Sequence, residues 1–178
     1  MQTVVLTSVA LLAALCIQCL GESRGVKCFR HNVSDKMLEQ LSTAVHHVKN
    51  SLPRDDNKHK KLLPKFTGTL KKPKGLSLIK EMLDFYLNDV FSNESLNTRD
   101  NEKIQIILSR MVNEVSQCLR MHRSSLSSNE RDKIHQMKQT FRQLETNGMK
   151  KAIGEFKTVL VWIHIYMHHT GKSGRKRQ

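Results

Sequence analysis

From Met149 to Met167 the chain reads MKKAIGEFKTVLVWIHIYM, and no other stretch limits the choice of fold so sharply. At about 100° per residue, Met149, Ala152, Ile153, Phe156, Val159, Leu160, Ile163, Tyr166 and Met167 fall within one arc, the core face of a helix. In its second half Val161, Trp162 and Ile165 lie off that arc, so a simple surface helix would leave an apolar flank in water. This helix needs neighbours on most of its sides.

Four further segments keep helical spacing. Ser34 is placed to cap a helix carrying Met37, Leu38, Leu41, Ala44, Val45 and Val48, which Pro53 stops. After Gly75, the positions Leu76, Ile79, Met82, Leu83, Tyr86, Leu87, Val90 and Phe91 make a broad apolar face. A polar, turn-like stretch over 92–100 precedes a helix with Ile104, Ile107, Leu108, Met111, Val112, Val115, Cys118 and Leu119 in phase. Ser127 and Glu130 have capping-box spacing ahead of Ile134, Met137, Phe141 and Leu144, and Asn147-Gly148 reads as the stop of that helix. No alternating strand pattern of useful length and no internal repeat is present. The expectation is a single all-α, up-and-down-type bundle of five long helices, with a sixth short one at most in the connection over 54–74.

Residues 1–21 contain no Lys, Arg, Asp or Glu and read as a secretory signal peptide cleaved before Glu22. A membrane anchor is the other reading, but the run from Val4 to Leu20 is slightly short for a span. A helical domain is expected over 22–170 and a basic, disordered tail over 171–178. Cys16 and Cys19 would leave with the signal. Cys28 and Cys118 would remain in an extracellular chain, as one internal bridge or as two free or intermolecular thiols.

With 30 Lys and Arg against 16 Asp and Glu, the net charge is +14. Lys58, Lys60, Lys61, Lys71, Lys72 and Lys74 in the connection, with Arg175, Lys176 and Arg177 in the tail, are candidates to bind heparan sulfate, DNA or an anionic membrane surface. Such binding would be non-specific and steeply salt-dependent. Aromatic interleaving of the kind that reads bases is missing, which argues against sequence recognition.

Little points to catalysis. Residues 21–25 spell G-x-S-x-G but lack the strand and helix that a nucleophile elbow needs. Gly171-Lys172-Ser173 mimics the end of a phosphate loop without its earlier glycine. His164 and His168, four apart, could both reach one metal ion. The Glu of an HEXXH motif is lacking and no third ligand is in view, so two partly exposed histidines is the plainer reading. No enzyme activity, cofactor or metal is expected. Asn93 and Asn32 head N-glycosylation sequons, with Asn93 the better placed because Asn32 abuts a helix cap and Cys28.

Lys151-Ala152-Ile153-Gly154-Glu155-Phe156 resembles the last-helix signature of the interleukin-10 family of class 2 helical cytokines, Lys-Ala-x-x-Glu, then Leu or Phe, then Asp. Phe141, Leu144, Gly148 and the stretch MLDFYLNDVF fit the same pattern, and the similarity spans Cys28 to Met167. The basic charge, SLPRDDNKHKKLL and QCLRMHRSS narrow the resemblance within the family, while IYM and MLDFYL offer a competing placement. The resemblance implies a secreted helical cytokine that assembles two class 2 receptor chains, as a monomer or an intertwined homodimer. It places the first family bridge on Cys28 and Cys118, and finds the second absent, with Leu76 at one position and Met121 or a neighbour at the other. It also implies that the first helix, the following connection (Arg54, Asp55, Asp56) and the last helix (Lys151, Glu155) face the receptor, with Trp162 on the same flank. Lys157 stands where the signature has Asp. A cationic antimicrobial or DNA-carrying host-defence protein acting on membranes is the alternative reading.

Overall fold

The computed structural model describes residues 25–53, 60–96, 98–121 and 124–169. The proposed signal peptide, the tail over 171–178 and Arg54, Asp55, Asp56, Lys58, Arg175, Lys176 and Arg177 lie outside the described residues. Among the described residues there is no strand. The helices are α1 (residues 25–32), α2 (Asp35–Ser51), α3 (Thr67–Leu70), α4 (Gly75–Phe85), α5 (Arg99–Met121), α6 (Ser128–Gln143) and α7 (Thr146–His169). The all-α bundle read from periodicity is the fold observed.

Helix α7 is walled in as its apolar arc demands. It packs against α2, α3, α4 and α6, and Ala152, Ile153, Phe156, Val159, Ile163 and Tyr166 are at most 1% exposed. An aromatic cluster locks it to α4: the Tyr86 and Phe156 ring centroids lie 4.7 Å apart at 73°, and Phe91 meets Phe156 at 5.9 Å. Burying a ring of this size contributes roughly 1.5–3 kcal/mol, and edge-to-face geometry adds to it. The Tyr86 hydroxyl donates to the Ala152 carbonyl at 2.9 Å. Burial, and then the charge of Glu155, push that hydroxyl well above the usual tyrosine range, keeping it a neutral donor.

The residues around Cys28 form a helix, α1, where the sequence suggests only a short lead-in. Val26, Phe29 and Val33 are buried, and Phe29 meets Tyr166 of α7 edge-on at 5.8 Å. Cys28 is bridged to Cys118 near the end of α5, with Cα atoms 5.7 Å apart across 90 residues of sequence. Ser34 caps α2 as expected, its Oγ accepting the Met37 N–H at 3.3 Å.

Two boundaries differ from expectation. Helix α4 runs into a π-turn, Tyr86–Val90, where the Phe91 N–H reaches the Tyr86 carbonyl at 2.9 Å. The Phe91 carbonyl left at its end accepts from Asn101 Nδ2 at 3.1 Å and Gln105 Nε2 at 2.6 Å, so α5 closes off α4. Helix α6 stops at Gln143, and Asn147-Gly148 is not its cap but the first turn of α7. The reversal falls on Glu145, at φ 48°. Gly148 serves packing instead: a Cβ there would stand 2.3 Å from the Phe141 carbonyl oxygen. Among the described residues no helix is long and apolar enough to cross a membrane.

Candidate functional site

The connection over 60–70 is basic in composition but not loose. Leu62, Leu63, Phe66 and Leu70 are buried, and they lay the segment along one flank of α7. Burying Leu62 and Leu63 takes their backbone N–H groups out of water, and such groups need an acceptor. Glu155 supplies it: its carboxylate accepts from Leu62 N at 3.0 and 3.1 Å and from Leu63 N at 2.8 Å. One turn earlier Lys151 Nζ lies 3.9 Å from the same carboxylate. Two turns later Phe66 stands edge-on to Trp162, centroids 5.6 Å apart at 85°.

Lys151, Glu155 and Trp162, which the resemblance places toward a receptor, are thus engaged within the chain itself. Lys151 and Trp162 are each 6% exposed, Trp162 lies against Phe66 of the connection, and Glu155 is committed to holding that connection. A helical wheel gives the direction in which a side chain points, not what lies over it. The outward face of α7 is a neighbouring stripe of Lys157, Thr158, Val161, His164 and His168, all exposed, with the apolar Val161 at 47%.

The cations divide in the same way. Lys60, Lys61, Lys65, Lys71 and Lys72 are exposed. Lys74 differs from them in being paired within the chain, its Nζ 2.8 Å from the carboxylate of Glu130. Glu130 also accepts from Thr69 Oγ1 at 2.5 Å and from the Ser127 N–H and Oγ at 2.8 Å. Burial alone would raise this carboxyl, but the bonds from Lys74, Thr69 and Ser127 outweigh it and hold it at about 2. Glu130 therefore joins α3, the start of α4 and the start of α6. Nearby, Ser77 Oγ donates to the Ser124 carbonyl at 2.9 Å. These polar ties lie beside Leu76, in the region where the resemblance finds a second disulfide missing.

The two sequons are unlike. Asn93 and Ser95 are exposed in the turn after α4, and Asn93 Oδ1 accepts from the Ser95 N–H and Oγ at 3.0 and 2.8 Å. Asn32 is half-buried, its Nδ2 resting 3.8 and 4.0 Å from the two bridge sulfurs. Elsewhere the broadest exposed apolar side chain is Ile106, 70% exposed on α5 beside a groove that Met37 of α2 also lines.

Glu155 and Glu130 are the functional-site residues whose partners lie beyond sequence reasoning. The signal available for the first was the alternation of buried Leu62, Leu63 and Phe66 with lysines inside a segment read as loop.

A model of the family described as Interleukin 10 matches residues 3–169. The chain is 30% identical over 154 residues to interleukin-10 of Felis catus, covering 79% of this chain and 80% of that one. It is 28% identical over 141 residues to a viral interleukin-10 homolog of Equine herpesvirus 2, covering 74% and 75%. To interleukin-10 of Bos taurus it is 27% identical over 137 residues, covering 74% and 75%.

Proposed function

The chain belongs to the interleukin-10 family, and from that premise we propose that it is a secreted cytokine that brings two different class 2 receptor chains together. It performs no chemistry. Its mechanism is recognition by a rigid body, and the observation that carries the reading is the latch of Glu155 on Leu62 and Leu63. That latch welds connection and last helix into one continuous surface. Lys151, Glu155 and Trp162 act from beneath it as positioning residues, while Lys157, Thr158 and Val161 make the contact, extended by Arg54, Asp55 and Asp56. Because Lys157 replaces the signature's Asp, its counterpart on the receptor is an acidic group. Ile106, exposed on α5 beside the groove that Met37 of α2 also lines, marks the face for the second receptor chain.

The test is Lys157→Glu in the secreted protein. Receptor-driven phosphorylation should fall sharply while the melting temperature and heparin elution stay unchanged, since Lys157 is exposed. Full signalling by that variant would remove the α7 stripe from the interface. Ile106→Asp should likewise abolish signalling while leaving binding to the first chain.

Within the family the placement we propose is interleukin-26-like, supported by the +14 charge and by the SLPRDDNKHKKLL and QCLRMHRSS segments. An interleukin-10-like immunoregulatory cytokine is the competing placement. Pull-down of individually expressed class 2 receptor ectodomains separates the two. A monomer and an intertwined homodimer are separated by light scattering, which decides between the masses.

A second activity is favoured by Lys60, Lys61, Lys65, Lys71 and Lys72, five exposed cations on one connection. They suit heparan sulfate, non-specific DNA or an anionic membrane, as in a cationic antimicrobial protein. Neutralising Lys58, Lys60 and Lys61 should weaken heparin, DNA and vesicle binding and spare receptor phosphorylation. For modification, Asn93 is the acceptor we assign, and Asn93→Gln should remove the glycan that Asn32→Gln leaves in place.

A further inference from the structure

We propose that His164 and His168, on the outward face of the last turns of α7, form a chelating site for a transition-metal dication such as Cu2+ or Zn2+. Helix α7 runs unbroken from Thr146 to His169, which fixes the two residues one turn apart on the same face. Both are exposed, and their ring centroids lie 4.1 Å apart with planes inclined at 48°. A tetrahedral ion about 2.0–2.1 Å from each imidazole nitrogen needs the two nitrogens roughly 3.3 Å apart. Rings at this separation meet that with rotations of their own side-chain torsions and no movement of the helix.

The surroundings select the ligand. Between the pair, Tyr166 and Met167 turn into the core, and one turn back stands the apolar Val161. The donors are imidazole only, which suits Cu2+ and Zn2+ and not Mg2+ or Ca2+, whose sites are built from oxygen. Among the described residues no group of three or more His, Cys, Asp and Glu is placed to hold a metal. Among the described residues the site therefore offers two protein donors, and water completes the coordination. The other adjacent histidines are differently engaged: His46 bonds Asn50 at 3.0 Å and His47 bonds Asp100 at 3.3 Å.

The test is titration of the full secreted chain with Cu2+ and with Zn2+, read by calorimetry, with electron paramagnetic resonance for copper. The tightest site should hold one ion per chain and show two nitrogen donors. His164→Gln and His168→Gln should each lower affinity at least about tenfold, since loss even of an outer partner of a metal ligand costs that much. Their helix content and melting temperature without metal should be unchanged. The paired variant His46→Gln with His47→Gln should bind as the unaltered chain does, and Ca2+ should not compete. Undiminished affinity in His164→Gln and His168→Gln, or an equal loss in the His46 and His47 variant, overturns the proposal.

Discussion

A carboxylate that takes two backbone N–H groups fixes a segment of chain by its main chain, and Glu155 does this for residues 62 and 63. Glu155→Ala leaves two buried donors unpaired, at a cost of about 1–3 kcal/mol for each such group. Urea melts should show a loss of roughly 2–4 kcal/mol, and the Leu62 and Leu63 amides should exchange with solvent faster than their neighbours. Glu130 makes a prediction in pH. Unfolded, its carboxyl titrates near the ordinary 4.5, and folded at about 2. A depressed value stabilises the fold fully above 4.5, progressively less as pH falls through the interval, and not at all below about 2. The urea midpoint of the unaltered chain should therefore fall over that window more than that of Glu130→Gln. The capping box of Ser127 and Glu130 was legible because it is local. Thr69 and Lys74, 61 and 56 residues from Glu130, were not, because no spacing rule reaches across a loop. The cover over Trp162 was out of reach for the same reason: it is Phe66, in a stretch whose lysines hid its apolar residues.

At the scale of elements, the apolar stripes of α2, α4, α5, α6 and α7 were readable, since each is long enough for period to show above noise. Helix α1 is described over residues 25–32, and Val26 and Phe29 within it and Val33 just after it carry the right spacing over too few residues to stand out. It matters nonetheless, because it delivers Cys28 to Cys118. Replacing both with Ser frees a 90-residue loop, which on the chain-entropy account lowers stability by about 4–5 kcal/mol. Denaturant titration of the double variant measures it. The α6–α7 corner yields a smaller effect of opposite signs. Gly148→Ala should destabilise by about 1–3 kcal/mol through its clash with Phe141, whereas Glu145→Gly should be neutral or stabilising, because glycine adopts φ 48° without a steric penalty.

For the molecule as a whole, the excess of positive charge was evident from composition, but composition does not say which cations are free. The structure leaves Lys60, Lys61 and Lys65 exposed and engages Lys74. Changing those three to Ala should make the logarithmic salt dependence of heparin or DNA binding shallower by about 2–3. Lys74→Ala should scarcely alter that slope and should instead cost stability through Glu130. The grip of Glu155 has one more outcome, which concerns descent and not energy. Since it addresses amides, the grip itself excludes only proline at 62 and 63, where burial still asks for apolar side chains, and the solvent-facing 60, 61 and 65 are at liberty to vary while the strap keeps its course. Lineages could thereby retune which partner is recognised by swapping a few letters, with the scaffold beneath untouched.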